Sequence, residues 1–147
     1  MSFSEQIQQF NTMYRLPCPS KPTLEAVGNP IDRLIKFRKT LQDELDENLE
    51  IIGLIQEYQK NPTGENYLAA LVAVADWLGD IQVYAASEMA KFGLPNDQVL
   101  NLIMKSNFSK QNPDGTTTYN EDGKVMKGVS YWKPEPSIAE ELRSRMV

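Results

Sequence analysis

Two long helical patterns separated by one short turn limit the possible folds of this chain more than any other feature of its sequence. Asn29-Pro30 is typical of a helix start, and leucines and isoleucines recur at helical spacing from there to about residue 60. Residues 61–64, Asn-Pro-Thr-Gly, favour a turn, and a second helical pattern covers about residues 65 to 92 before Gly93. Because the turn is short, we expect the two helices to be antiparallel neighbours.

Shorter elements flank this pair. A helix is predicted over about residues 5–14, with Ser2 and Glu5 spaced as a capping box, and another over about residues 96–106. Turn signals bound a hairpin or ordered loop near residues 116–127, and the capping-box spacing of Ser137 and Glu140 predicts a short terminal helix. The expected fold is all-α: a helical bundle on two long antiparallel helices, with a C-terminal hairpin or loop and a terminal helix, in one domain over residues 1–147.

Composition excludes several classes of function. The net charge of −5 argues against duplex nucleic acid as a partner, since that binding needs clustered cations. The chain has no histidine, which excludes Ser-His-Asp and Cys-His catalysis and His-ligated zinc.

A single cysteine, Cys18, and the lack of a secretory signal near the N-terminus favour the cytoplasm. The apolar window of residues 67–86 contains Asp76 and Asp80, so we interpret it as a buried helix rather than a membrane span.

Acidic residues form a group within each long helix. In the first helix Glu44 and Glu47 are three residues apart, and Asp43 and Glu47 four apart, so their side chains share one face. Taken alone, this pattern favours a solvated acidic face.

The second helix has Asp76 and Asp80 among apolar residues. Burying unpaired carboxylates costs several kcal/mol, so a cation is expected beside them. A metal ion is favoured; the alternatives are pairing with Arg33 or Arg38, or an exposed face. Both acidic groups lie at similar distances from the turn and can therefore face one another, and without histidine only oxygen-preferring ions such as Mg, Mn or Ca suit them.

Four segments together resemble a known family. Asp43-Glu44-Leu45-Asp46-Glu47 resembles the E-E-x-x-E motif of the all-α nucleoside triphosphate pyrophosphohydrolases, the MazG-like superfamily, and Leu78-Gly79-Asp80 resembles the end of its E-x-x-D motif. Residues 106–110, Ser-Asn-Phe-Ser-Lys, are similar to its S-N-x-S-K element, and residues 123–128 to its G-K-x-x-K-G segment. The resemblance spans about residues 30 to 134. It departs from the family at Asp43, which replaces the first Glu, and at Trp77, which stands where E-x-x-D has Glu.

The resemblance implies a Mg-dependent enzyme, with Mn as a substitute, that cleaves a nucleoside triphosphate between the α- and β-phosphates. It implies these roles: metal ligation by Glu44, Glu47, Asp80 and, in place of the missing Glu, Asp76; holding or deprotonating the attacking water by Asp43; phosphate contacts by Lys110, Lys124 and Lys127; and a polar substrate contact by Asn107. A pyrophosphohydrolase of phosphoribosyl-ATP and a non-catalytic helical scaffold are the alternatives. The apolar surface of the two long helices predicts a homodimer or a dimer of dimers.

Overall fold

The computed structural model describes residues 1–147, and its first helix begins at the predicted cap. Helix α1 covers Phe3–Met13. The Ser2 hydroxyl accepts from the backbone N–H of Glu5 at 3.2 Å, and the Glu5 carboxylate accepts from the backbone N–H of Ser2 at 2.6 Å. This confirms the capping box, which satisfies two N–H groups that the first turn of a helix leaves without partners.

The prediction of one long helix from residue 30 to residue 60 is wrong. Helix α2 covers Pro30–Asp46 and helix α3 covers Asn48–Lys60, with the break at Glu47. The predicted start is confirmed, because the Asn29 side chain accepts from the first N–H groups of α2. The structure departs from the predicted helix only at the break. There the side chain of Trp77, from a later helix, donates a hydrogen bond to the backbone carbonyl of Glu44.

The second long helix, α4, covers Gly64–Lys91 and is capped by the Thr63 side chain. It follows α3 after the short turn and packs against α3, α1 and α2. Helices α3 and α4 are therefore the antiparallel pair that the sequence predicts.

Two further helices follow Gly93, where φ is +66°. Helix α5 covers Asn96–Phe108 and helix α6 covers Glu135–Met146, and the two pack together. The predicted hairpin is a turn closed by one bridge between Tyr119 and Val125. The predicted capping box of Ser137 and Glu140 is wrong, because α6 begins before Ser137, where the prolines at 134 and 136 favour the first turn without a side-chain cap.

The all-α fold is thus confirmed, and its residues divide into two compact units. Unit 1 contains residues 1–19 and 23–92, and unit 2 contains residues 20–22 and 93–147. The expectation of a single domain stays a prediction. In unit 1 the fully buried Asn11 joins α1 to α4: its side-chain amide donates to the carbonyls of Pro17 and Ser87, and its side-chain oxygen accepts from the Ser87 hydroxyl at 2.7 Å.

Helix α4 is much less buried than the sequence suggests. It is the one helix long and apolar enough to cross a membrane by length and composition, and only 6% of its most apolar 18-residue window is buried. The expectation of a buried helix is therefore wrong for this chain. Although α1, α2 and α3 pack against α4, many of its apolar side chains stay accessible.

Candidate active site

The predicted acidic residues of α2 and α4 meet around Glu44. Glu44 lies near the C-terminal end of α2, which packs against α4, and its residue exposure is only 6%. Its Oε1 atom is buried and has no hydrogen-bond partner. Such an atom is uncommon, because buried polar groups nearly always find a partner.

The surroundings of Glu44 disfavour its charge. Burial raises the pKa of the Glu44 carboxyl above its ordinary value, and the charges of Glu47 and Asp80 raise it further. A hydrogen bond shared with Glu47 and the charge of Asp76 act in the same direction. The four acids that the sequence selects as ligands therefore form one interacting group, in which Glu44 is buried and the other three are exposed.

Asp43 lies apart from this group. It is exposed and forms an ion pair with Lys39 one turn earlier on α2, with 2.8 Å between Nζ and Oδ1. Asp43 is not among the groups that act on Glu44.

The arginines considered as partners for the aspartates do not pair with them. Arg33 forms an ion pair with Glu88 at 2.9 Å, and Lys91 contacts the other oxygen of Glu88 at 3.1 Å. Unit 1 therefore contains a second buried carboxylate, Glu88, paired with two cations, that the sequence interpretation missed. Its signals in the sequence were an acid at the end of an apolar stretch and the i,i+3 spacing of Glu88 and Lys91.

The donor atoms around Glu44 are of the kind that a hard divalent cation prefers. They are carboxylate oxygens alone, and one of them is buried without a partner. As the side chains stand, no three His, Cys, Asp or Glu residues are grouped closely enough to hold one ion.

The side chain of Trp77 contacts the same site by binding the backbone of Glu44. Its indole Nε1 donates to the main-chain carbonyl of Glu44 at 2.7 Å. That carbonyl also accepts from the backbone N–H of Glu47 at 3.2 Å, at the point where α2 ends. This role was missed, although a partly buried indole usually requires an acceptor.

A shallow groove of about 410 Å³ borders the aspartates on α4. Its lining residues are Phe3, Ala75, Asp76, Gly79, Asp80, Gln82 and Val83. Asp76 and Asp80 thus face accessible space, which corrects the expectation that they are buried.

The other predicted site residues all lie in unit 2. Asn107, Lys124 and Lys127 are exposed and Lys110 is half-buried, while the Lys127 ammonium lies 4.9 Å from the centre of the Tyr131 ring.

Two of the family-like segments of unit 2 touch each other. The backbone N–H of Gly128 donates to the Lys110 carbonyl at 3.0 Å, and a Cβ at Gly128 would lie only 2.6 Å from that oxygen. The hydroxyls of Ser106 and Ser109 bind the backbone carbonyl and N–H of Trp132. The serines of the S-N-x-S-K-like segment therefore hold the backbone, which leaves Asn107 and Lys110 as its candidates for a ligand.

Comparison with known proteins identifies the fold. No family model and no curated protein matches the chain. Among solved structures, a "putative NTP pyrophosphohydrolase" from Exiguobacterium sp. 255-15 is similar, with a TM-score of 0.51 and 20% sequence identity over 99% of this chain and 96% of the other. The chain therefore shares the fold of that protein along nearly its whole length.

Proposed function

We propose that this protein is a Mg-dependent nucleoside triphosphate pyrophosphohydrolase that cleaves a (d)NTP between its α- and β-phosphates. The observation that carries the proposal is the buried Glu44 carboxylate, which has an oxygen without a partner and three further acids around it. Such a cluster is costly unless a cation joins it. The fold shared with the Exiguobacterium protein and the four family-like segments support the same function.

In this proposal the carboxylates of Glu44, Glu47, Asp76 and Asp80 hold the ion. When bound, Mg²⁺ neutralises the charge of the phosphates and lowers the pKa of a water molecule. Asp76 takes the place of the motif Glu that Trp77 replaces.

Asp43 is the proposed group that holds or deprotonates the attacking water. The water oxygen bonds to the α-phosphorus as its proton passes to the carboxylate, and the bond from that phosphorus to the bridging oxygen breaks. Pyrophosphate leaves, and the nucleoside monophosphate remains. Because Asp43 is paired with Lys39, this role requires it to exchange the ammonium for water.

Lys110, Lys124 and Lys127 are the proposed phosphate contacts, and Asn107 is the proposed polar contact to sugar or phosphate. The contact between Gly128 and Lys110 keeps the two segments that contain the three lysines side by side. Lys127 would move from the Tyr131 ring to reach a phosphate.

The test measures pyrophosphate release from a panel of dNTPs and NTPs with Mg²⁺, with Mn²⁺ and with neither. We expect turnover only with metal. Glu44→Gln should lower kcat/KM by about 100-fold or more, since even residues that merely support metal ligands cost about 10- to 100-fold when changed. Glu57→Gln, which removes an exposed acid from α3, is the matched control and should retain activity.

Two outcomes would redirect the proposal. Turnover of phosphoribosyl-ATP but of no triphosphate would favour the related pyrophosphohydrolase. A lack of turnover with either metal would favour the scaffold, an alternative that the absence of a preformed three-ligand group also favours.

We also propose that the chain acts as a homodimer or a dimer of dimers, in the cytoplasm. Leu68, Leu71, Val72 and Leu78 lie at helical spacing on α4 and are 46–60% exposed. An apolar stripe of this length on a small chain is typical of a surface covered by a partner, and a second copy of the chain presents the same stripe.

A further inference from the structure

We propose that Trp77 is a positioning residue for the carboxylate cluster. By donating its indole N–H to the carbonyl of Glu44, it holds the helix break that places Glu44 and Glu47 beside the aspartates of α4. This inference rests on the proposed function, because it assigns the residue that shapes the same site.

The hydrogen bond lies where the helix is interrupted. In a continuous helix, the carbonyl of Glu44 would accept the backbone N–H of Asn48. Here it accepts Trp77 Nε1 at 2.7 Å and the N–H of Glu47 at 3.2 Å. Helix α2 ends at Asp46 and α3 begins at Asn48. The indole therefore binds the Glu44 carbonyl, which would otherwise accept the N–H of Asn48 and continue the helix.

The break changes how the two glutamates are exposed. Residues three apart on an uninterrupted helix point to the same side, yet Glu44 is 6% exposed and Glu47 is largely exposed. Glu44 is thereby placed where burial and the neighbouring acids raise its pKa, while Glu47 stays within hydrogen-bond reach of it.

Trp77 also fixes α4 against α2 at the height of the site. It lies between Asp76 and Asp80 in the sequence, so one contact sets the position of both aspartates relative to Glu44. Trp77 has no atom that binds Mg²⁺, and it contributes an anchor at the position where the family-like motif has a ligand.

The test uses Trp77→Phe, which keeps an aromatic ring and removes the donor. Backbone NMR of the apo-protein should show the 13Cα shifts of residues 45–48 moving towards those of a continuous helix. Calorimetric titration with Mn²⁺ alone should show a Kd about fivefold weaker, which corresponds to the loss of one hydrogen bond of about 1 kcal/mol. In turnover, the apparent KM for metal should rise while kcat changes little.

Trp132→Phe is the matched control. Trp132 is the other tryptophan of the chain, lies in unit 2, and binds Ser106 and Ser109 through backbone groups that the substitution keeps. It should leave the shifts of residues 45–48 and the Mn²⁺ affinity unchanged.

A second variant tests whether Trp77 anchors the helices or only stands where a metal ligand has been lost. Trp77→Glu removes the donor and restores the carboxylate of the motif. If Trp77 is an anchor, this variant should bind Mn²⁺ no more tightly than the wild type and should show the same shifts as Trp77→Phe. Tighter binding would overturn the inference, as would unchanged shifts and an unchanged Kd in Trp77→Phe.

The wild type gives an independent check if the variants do not fold. Hydrogen exchange at the Trp77 indole N–H should be slower than at that of Trp132, and rapid exchange would contradict the anchor. Apart from the turnover measurement, none of these experiments uses a nucleotide. If no nucleotide is cleaved while the shifts and Mn²⁺ affinity change as expected, the proposed function fails and the positioning role stands. A wild type that binds no Mn²⁺ overturns both.

Discussion

Glu44 is the residue at which stability and the proposed chemistry conflict. Its carboxylate is buried near three other acids, and one of its oxygens has no hydrogen-bond partner. The pKa of this carboxyl is raised in the folded chain, so the folded state holds the proton more tightly than the unfolded state does. Above the raised pKa, the ionised carboxylate therefore lowers the free energy of unfolding.

Glu44→Gln should raise the Tm of the metal-free protein at neutral pH, because it removes that charge and its amide can donate to Glu47. The gain should shrink as pH falls through the raised pKa of Glu44 and vanish below its ordinary value, where the wild type is protonated in both states. Mg²⁺ should raise the Tm of the wild type more than that of the variant. Thermal unfolding over a pH series measures all three effects, and equal Tm values at neutral pH would contradict the prediction.

At the scale of elements, a buried ion cluster joins the first turn of α2 to the last turn of α4. Glu88 accepts from Arg33 at 2.9 Å and from Lys91 at 3.1 Å, and its side chain is 7% exposed. Since Glu44 lies further along α2, this cluster helps to fix the helix that contributes the buried carboxylate of the site.

Glu88→Gln should lower the free energy of unfolding by about 3 kcal/mol, because it leaves two poorly solvated cations without a counter-charge. Urea denaturation measures the change. Lys39→Gln is the control: it breaks the exposed pair with Asp43 on the same helix and should have little effect. Equal losses in the two variants would show that burial does not distinguish the pairs.

At the scale of the whole molecule, the chain leaves much apolar surface on unit 1 uncovered. The buried hydrophobic residues are few, and four of the six, Ile7, Ile51, Phe92 and Val99, are large. A core this small is sparse for a chain of 147 residues. The apolar stripe of α4, residues 68, 71, 72 and 78, therefore stabilises the fold only when another surface covers it.

Light scattering should find the wild type as a dimer or a dimer of dimers. The double substitution Leu71→Glu and Val72→Glu should shift it to monomer, with dissociation constants at least about 100-fold weaker, because two charges would be desolvated in the interface. Gln56→Glu, an exposed change on α3, should leave the assembly intact. A monomeric wild type at high concentration would contradict the prediction.

Local signals predicted much of the fold and part of the site. The caps at Ser2 and Asn29 and the turn before α4 were readable from neighbouring residues. The spacing of Glu44, Glu47, Asp76 and Asp80 indicated that these acids interact, as they do around Glu44, while their role as metal ligands stays a prediction. The ion pair of Asp43 with Lys39 was missed, although its i,i+4 spacing on one helix is a local signal.

What the sequence determined by itself was which segments are helical, though not the break at Glu47, because capping and periodicity act over about four residues. Contacts between distant residues were decided only by the tertiary structure. Trp77 interrupts a helix 33 residues away, and Arg33 selects Glu88, 55 residues on, instead of the aspartates. The strength of such bonds depends on burial and geometry, which exist only once the helices have packed. For that reason the sequence indicated which acids share a site, while packing decided which of them is buried and what holds it there.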